Sequence, residues 1–353
     1  MKGTRMRTVH AKTALLTAAA LLVSTTFALA NNFDWENLQS DIAGVAEQVD
    51  PNVLNPWGMA QAPSGNIWVA DNHAGVATVY KQDGTPSPNA GSPLVVTIPP
   101  SPPNTTGSPT GVVFNGTAFF KITKGSNSQP ARLIFVSEDG MISGFNSQVD
   151  STNAIIATDN DGGHVYKGAT LGVANGHNFL YVTNFHAPGG IETYNENFVL
   201  QSTASFPFVD PSLPADYSPF NIRNFKGQLF VTYAKRNPAS PDDDLAGAGL
   251  GLIDVFNTNG QFVKRLVSPG GNLNAPWGLE IVNGQLWVGN FGDGRINVYN
   301  PNNGNFQGKP RDGFGNPLAF DGLWGLLLTN NGLFFTAGIA DEDHGIFGVI
   351  FSD

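Results

Sequence analysis

Short apolar segments recur along the whole chain, and each is followed by polar residues and a turn that contains glycine or asparagine. Six of these segments are almost continuously apolar: IWVAD, LIFVSED, FLYVTNF, LFVTY, LWVGNF and LFFTAG. Continuous apolar runs of this length indicate strands that are buried on both faces. Six further segments alternate apolar and polar residues: GVATVY, GMISGFN, GIETYN, GLIDVFN, GRINVYN and GIFGVIF. The alternation predicts half-buried strands, so the pattern as a whole predicts an all-β chain.

The two kinds of strand belong to a unit that recurs about every fifty residues, a spacing typical of propeller blades. Each unit opens on a residue followed by glycine: Trp57-Gly58, Thr110-Gly111, Leu171-Gly172, Trp277-Gly278 and Trp324-Gly325, with a degenerate copy between Ser218 and Phe225. Fourth strands are predicted in LVVTIP, AIIATD, ASFPFV and KRLVS. Two duplicated sandwiches would not explain the intermediate copies. We therefore predict a six-bladed β-propeller of four-stranded blades, which start near residues 55, 108, 168, 218, 275 and 322.

The sixth unit ends after its third strand, at Ser352 and Asp353, and needs a fourth strand from elsewhere. The segment WENLQSDIAG, residues 35–44, precedes the first blade and belongs to no other unit. We expect it to complete the last blade as a closing strand, because closure removes an exposed sheet edge. Residues 31–353 then form one propeller domain, in which residues 31–54 are the closing strand and the lead-in.

Residues 1–30 have the pattern of a secretory signal peptide. Four basic residues precede the apolar run ALLTAAALLVSTTFALA, which ends in the small-x-small pattern Ala28-Leu29-Ala30. This pattern predicts cleavage after Ala30 and export to the periplasm or the exterior. A membrane anchor is the alternative, but the run is short and is interrupted by hydroxyl residues. No later segment is apolar enough to suggest a membrane span.

The balance of charge narrows the classes of partner. Four of the 18 Lys and Arg residues and none of the 28 acids lie in residues 1–30, so the remainder carries a net charge of −14. Nucleic acids and anionic lipid surfaces require basic patches and are not expected partners, whereas a cationic ligand fits. The absence of cysteine excludes thiol catalysis, iron–sulfur clusters and cysteine-ligated zinc. We expect a monomer.

Three stretches carry a resemblance to known proteins: Asn55-Pro56-Trp57-Gly58, GLGLIDVFNTNG at residues 249–260 and DEDHGIFGVIF at residues 341–351. Across residues 33–353 the chain resembles NHL-type propellers and, more closely, a family of secreted bacterial propeller proteins with no established activity. The resemblance implies the fold and export, and it implies no catalytic residues. Some members of that family end in a hydrophobic anchor with a Pro-Glu-Pro sorting signal, whereas this chain ends in FGVIFSD.

The residues that follow the second strands are expected to converge on the mouth of the central channel. They include Asp71, Asn72 and His73; Ser137, Glu138 and Asp139; Asn184, Phe185 and His186; Tyr233, Lys235 and Arg236; Asn290, Phe291 and Asp293; and Asp341, Glu342, Asp343 and His344. The candidate ligand-binding residues are Asp71, His73, Asn184, His186, Asn290, Asp293, Asp341, Asp343 and His344. Turn capping without any ligand is the alternative for Asp71, Asn184 and Asn290.

Two features of this set suggest a metal. Residues 341–344 place three acids and a histidine together, and oxygen-rich groups suit calcium, although no D-x-D-x-D-G loop is present. His73, His186 and His344 occupy equivalent loops of three units, where imidazoles and nearby acids would suit a shared divalent cation.

A long loop, NPASPDDDLAGAG at residues 237–249, carries Asp242, Asp243 and Asp244. It is expected to be a solvated flap, with a lid or a metal-dependent contact as alternatives. Trp57, Trp277 and Trp324 are expected to pack between blades rather than against a ligand.

No recognised catalytic motif accompanies the scaffold: the chain has no G-x-S-x-G elbow, no P-loop and no H-E-x-x-H. We therefore expect an exported binding module that presents its loop face to a small molecule, a glycan or a protein. The alternative is a calcium-dependent, lactonase-like hydrolase or lyase with its site at the channel mouth, and a third hypothesis is a purely structural envelope component.

Overall fold

The structure of the chain, a computed structural model, describes residues 32–89, 92–160 and 163–352. Every regular element in these ranges is a β-strand, and the first strands of six sheets contact one another in a closed ring. This arrangement confirms the predicted six-bladed β-propeller. No helix in the described ranges is long and apolar enough to cross a membrane. The predicted signal peptide, residues 1–30, lies outside the described residues.

Blades one and two have four strands each, which follow one another from the axis outward. Blade one contains Pro56–Gln61, Ile67–Asp71, Val76–Tyr80 and Val96–Thr97. Blade two contains Pro109–Phe114, Leu133–Ser137, Met141–Phe145 and Ile155–Asp159. The sequence pattern did not predict two additional hairpins, Pro88–Asn89 with Ser92–Pro93 and Lys121–Lys124 with Asn127–Pro130.

Blade three has three strands, Tyr166–Ala174, His177–Asn184 and Gly190–Tyr194, and the prediction of a fourth strand in ASFPFV was wrong. The segment packs through aromatic rings instead of pairing as a strand. The ring centroid of Phe206 lies 4.7 Å from that of Phe179, and the centroid of Phe208 lies 5.3 Å from that of Phe256. Its apolar residues therefore cover the core between blades three and four without joining a sheet.

Blades four and five again have four main strands. Blade four contains Tyr217–Phe225, Gln228–Asn237, Gly251–Asn257 and Phe262–Val267, and the extra strand Ser240–Asp244 pairs with its second strand. Blade five contains Pro276–Val282, Gln285–Asn290, Ile296–Tyr299 and Phe306–Gly308.

Blade six is completed by the first strand of the chain, as predicted. It contains Leu323–Thr329, Gly332–Ala337, Ile346–Ser352 and then Phe33–Ser40, with Gln48–Val49 parallel at its outer edge. The closing strand runs antiparallel to Ile346–Ser352, with a bulge between Asn37 and Gln39. Backbone hydrogen bonds thus join the two ends of the described chain in one sheet.

The strand register corrects one repeat anchor. In blade five Pro276 pairs with Asn290 and Gly278 with Gly289, and in blade three Tyr166 pairs with Asn184 and Gly168 with Thr183. The residues equivalent to Trp277-Gly278 are therefore Lys167-Gly168 in blade three, not the predicted Leu171-Gly172. In blade four, where Asn221 pairs with Thr232, they are Phe220-Asn221.

The glycines of the repeat anchors let the inner strands of neighbouring blades approach one another closely around the axis. A Cβ atom on Gly58 would lie only 2.4 Å from the carbonyl oxygen of Thr110 in blade two. Six apolar clusters fill the spaces between neighbouring blades, and a seventh occupies the axis at one end of the channel.

Candidate functional site

The channel mouth, the end at which the second strands finish, is closed by aromatic rings. One residue of each inner strand forms a layer there: Trp57, Thr110, Lys167, Phe220, Trp277 and Trp324. The ring of Trp57 stacks on Trp324 at a centroid distance of 3.5 Å, and Trp277 meets both edge-on at 6.1 and 6.0 Å. With Phe185, Phe220 and Phe291 these rings form what we call the plug. These tryptophans thus contact one another across blades, as expected, and they do so at the axis of the ring.

The three indole N–H groups of the plug differ in their partners. Trp324 Nε1 donates to Asn55 Oδ1 at 2.8 Å, and Trp277 Nε1 donates to the backbone oxygen of Lys167 at 3.0 Å. Trp57 Nε1 is buried, and no acceptor for it lies in the described part of the chain. An unpaired buried donor costs free energy, so Trp57 is the tryptophan of the plug whose N–H does not contribute a hydrogen bond within the described ranges.

Lys167 is the one charged member of the layer, and its side chain is only 3% exposed. Its Nζ lies 2.5 Å from Glu138 Oε1 and 5.1 Å from the ring centroid of Trp57. Burial acts to lower the pKa of Lys167, but the carboxylates of Glu138, Asp244 and Asp243 outweigh it and raise the pKa above its ordinary value. The side chain is therefore a cation at neutral pH, not an amine nucleophile.

Glu138 and Glu342 bring two carboxylates to the mouth from blades two and six. Glu138 accepts a hydrogen bond from Asn72 Nδ2 at 3.0 Å, and Glu342 accepts one from Asn55 Nδ2 at 2.6 Å. Burial raises the pKa of Glu342; the hydrogen bond from Asn55 opposes the rise, and the charge of Glu138 adds to it.

The backbone that carries Glu342 is itself unusual. Ala340, Asp341 and Glu342 have φ values of +56°, +55° and +69°, in the left-handed region that non-glycine residues rarely occupy. Three such residues in succession turn the loop sharply. Of the three acids in this loop, Glu342 is the one that contacts Asn55 beside the plug.

Asp244 comes from the predicted flap of residues 237–249. The flap begins as a hairpin in which Arg236 pairs with Asp244, and Asp242 Oδ1 lies 2.7 Å from His186 Nδ1 in blade three. Burial raises the pKa of Asp244 to about 7; Lys167 opposes the rise, and Glu342 adds to it. The flap is therefore ordered against the mouth by its acids.

Three predicted site residues turn into the blades rather than toward the axis. Asp71 is buried and accepts a hydrogen bond from the Thr78 hydroxyl at 2.7 Å, and burial raises its pKa well above its ordinary range. Asn184 Nδ2 donates to Glu192 at 2.9 Å. Asn290 Nδ2 donates to Asp293 Oδ1 at 3.0 Å, which places Asp293 in the same turn. These contacts are those of turn-shaping residues.

The three predicted histidines have three different neighbours. His73 Nε2 lies 3.4 Å from Asn55 Nδ2, His186 contacts Asp242 of the flap, and His344 Nδ1 lies 2.5 Å from Asp41 Oδ2. His344 thus ties its loop to the segment that follows the closing strand.

The remaining predicted acids, Asp341 and Asp343, are exposed on the loop that carries Glu342. In residues 32–89, 92–160 and 163–352, no three His, Asp or Glu side chains stand close enough together to hold a metal ion. Ligand binding by the predicted residues, and the calcium-dependent alternative, stay predictions.

The principal residue missed from the sequence is Lys167. Its signal was present, because the Lys167-Gly168 pair has the same form as the other anchors. Glu138 and Glu342 stood in the converging loops beside other acids, but the sequence does not show which acid of each group faces the axis.

The chemistry that this arrangement supports is recognition of positive charge. Glu138 contacts Lys167, and the charges of Asp244, Asp243 and Glu342 also interact with it, so carboxylates outnumber the one ammonium group there. Burial is the largest cause of the raised pKa values of Glu342 and Asp244, and the nearby positive charge of Lys167 offsets it only in part. An added cation would stabilise those charged forms.

No protein-family model matches the chain. Two relatives come from Acanthamoeba polyphaga mimivirus. “Uncharacterized protein R648” is 33% identical over 333 residues, which cover 90% of this chain and 79% of the viral protein. “Uncharacterized protein L690” is 31% identical over 326 residues, which cover 88% of this chain and 83% of the viral protein.

Two similar solved structures have low sequence identity to the chain. The structure described as “Crystal structure of Nidogen/Laminin Complex” has a TM-score of 0.50 and 13% identity, covering 77% of this chain and 84% of that one. “Streptogramin B lyase structure” has a TM-score of 0.49 and 13% identity, covering 92% of this chain and 99% of that one. The first of these likenesses supports the propeller fold.

Proposed function

The chain belongs to the same family as the two mimivirus proteins, and we propose that it is a propeller binding module that holds a cationic group at the channel mouth. The observation that carries the proposal is the excess of carboxylates around the buried ammonium of Lys167. The scaffold and its plug provide a rigid floor, and the acids provide the recognition.

An organic amine or guanidinium fits this mouth better than an anion does. An anion would be repelled by four carboxylates. One of them, Asp244, already has a pKa raised to about 7, so its surroundings disfavour negative charge. A cationic group would donate hydrogen bonds to Glu342 and Asp244, and charge-assisted bonds of this kind are roughly twice as strong as neutral ones.

Calorimetric titration with putrescine tests the proposal, with butanediol as the uncharged analogue. At pH 8 we expect putrescine to bind and butanediol not to bind. Glu342→Gln should weaken putrescine binding about tenfold, because a charged acceptor is lost. Glutamine retains an oxygen that can accept the hydrogen bond from Asn55, so the loop should keep its shape.

Asp83→Asn is the control, because Asp83 is an exposed acid that accepts a hydrogen bond from the backbone N–H of Thr85 in its own turn. It should bind putrescine as the unchanged protein does. Equal loss in both variants would indicate a diffuse effect of net charge and would contradict a site at the mouth. Equal binding of butanediol would contradict recognition of charge.

Export remains part of the proposal, supported by the signal-like pattern of residues 1–30. Expression in a bacterial host, followed by N-terminal sequencing of the processed protein, should give Asn31 as the first residue. A retained Met1 would contradict cleavage after Ala30.

A further inference from the structure

A second recess lies on the face of the ring opposite the mouth, between blades five and six. It has a volume of about 390 Å³ and is lined by the turns that join the first and second strands of the two blades. The closing strand adds Phe33 and the last strand adds Phe351. We call it the blade-five/six pocket. Its volume falls within the range of about 300–1,000 Å³ that is usual for small-molecule sites.

The polar lining of this pocket consists of amides and hydroxyls. Asn283 and Gln285 come from the turn of blade five, and Asn330 and Asn331 come from the turn of blade six. Among the described residues, none that lines the pocket is charged. This composition differs from that of the channel mouth, where ionised groups predominate.

Three of the amides have no competing partner. The side chains of Asn283, Asn330 and Asn331 are exposed, and none of them makes a hydrogen bond within the described ranges. Gln285 Nε2 donates to Gln307 Oε1 at 3.0 Å on the outer side. Each free amide offers two donors and one acceptor oxygen to a ligand.

The apolar lining is aromatic and aliphatic. Trp287 forms part of the floor and meets the ring of Phe33 edge-on at a centroid distance of 5.4 Å. Leu328 and Phe351 stand at the rim, and each remains 38% exposed. Large exposed apolar side chains beside free amides make a surface that contacts both C–H and O–H groups of a ligand.

We propose that the blade-five/six pocket binds a neutral polyhydroxylated ligand, a saccharide. Free amides can donate to and accept from hydroxyls, while the apolar rim covers the C–H faces of a sugar ring. A charged ligand would lose water without meeting an opposite charge, which is costly. A purely apolar ligand would leave the amides without partners.

A panel of neutral sugars tests this site: glucose, galactose, mannose and N-acetylglucosamine, beside glucosamine and glucuronate as charged analogues. Saturation-transfer NMR on the unchanged protein detects binding in the millimolar range. We expect at least one neutral sugar to bind, and its charged analogue to bind more weakly. Methyl glycosides of the same sugars distinguish the source, because a glycan-binding site accepts them and a site for free reducing sugars does not.

Asn283→Ala is the test variant and Asn175→Ala is its matched control. Both asparagines have left-handed backbones, with φ values of +49° and +50°, and both precede a glycine in the same kind of turn. Alanine therefore strains the two turns equally, but Asn175 lies in blade three, away from the pocket. Asn283→Ala should weaken sugar binding about fivefold, the effect of one lost hydrogen bond, while Asn175→Ala should not.

Three results would overturn the proposal. One is the absence of binding by every neutral sugar at about 10 mM, a concentration that would mostly fill a site with a Kd of about 1 mM. Another is equal affinity in Asn283→Ala and Asn175→Ala, which would place the contact elsewhere. The third is equal binding of neutral and charged analogues. None of these outcomes bears on the cation site, whose residues lie on the other face.

Discussion

The channel mouth and the blade-five/six pocket are built from the same repeated blade, yet their chemistry is opposite. The mouth gathers Lys167, Glu138, Asp244 and Glu342 from four different blades, whereas the pocket draws its amides from neighbouring turns. At the mouth, charges perturb one another because they are buried together. In the pocket, the amides of Asn283, Asn330 and Asn331 are neutral and exposed to solvent. A propeller thus offers both a shared axial site and local sites between blades.

This contrast predicts that substitutions at the mouth affect folding, whereas substitutions in the pocket turns affect mainly binding. Buried charges belong to a network whose parts depend on one another. Exposed turn residues contribute little to the free energy of unfolding, usually within about 0.5 kcal/mol. Variants at the mouth therefore test the contrast, beginning with the largest expected effect.

Lys167→Met should have the largest effect on stability. Methionine keeps the length of the apolar stem but removes the ammonium, which leaves the charge of Glu138 beside other acids without an opposite charge. We expect a loss of about 2–3 kcal/mol in urea unfolding, less than for a fully buried pair because Glu138 is partly exposed.

The double variant Lys167→Met with Glu138→Gln should recover part of that loss, because it removes the unpaired charge as well. Equal stability of the single and double variants would contradict the role that we assign to this ion pair. Unchanged stability in Lys167→Met would contradict the account of the mouth as a whole.

A pair of tryptophan variants should show a smaller difference. Trp324→Phe removes the donor that binds Asn55, whereas Trp57→Phe removes a donor that has no acceptor in the described part of the chain. Both lose similar ring area, so the difference between them reports the hydrogen bond. We expect Trp324→Phe to be the less stable by about 1 kcal/mol in urea unfolding. Equal losses would indicate that Trp57 Nε1 has a partner too.

The difference between the two sites also explains what the sequence could predict. The closing strand was predictable because blade six would otherwise have an exposed sheet edge. An exposed edge is unfavourable whatever the exact pairing of residues, so the prediction did not depend on knowing the strand register. Lys167 was missed because Gly168 and Gly172 are four residues apart on one strand. Residues an even number of positions apart in a strand lie on the same face of the sheet, so the apolar pattern cannot distinguish an anchor at Gly168 from one at Gly172. Only the pairing of Gly168 with Thr183 decides between them.

The prediction for Asp71 was displaced by one residue. Asp71 is the last residue of its strand and turns into its blade, whereas Asn72, the first residue of the following turn, reaches Glu138. The prediction of a strand in the segment ASFPFV was wrong for another reason. Its apolar residues are explained by contacts such as that between Phe206 and Phe179, which a strand pattern does not distinguish from pairing.

The pH dependence of putrescine binding tests most directly whether ionised acids at the mouth bind a cation. Asp244 has a pKa of about 7, so it is mostly neutral at pH 6 and mostly charged at pH 8, while the ligand's amines are charged at both. We predict affinity about five- to tenfold higher at pH 8, with protons released on binding, and a smaller change in Asp244→Asn. Equal affinity at both pH values, or tighter binding at pH 6, would contradict the account.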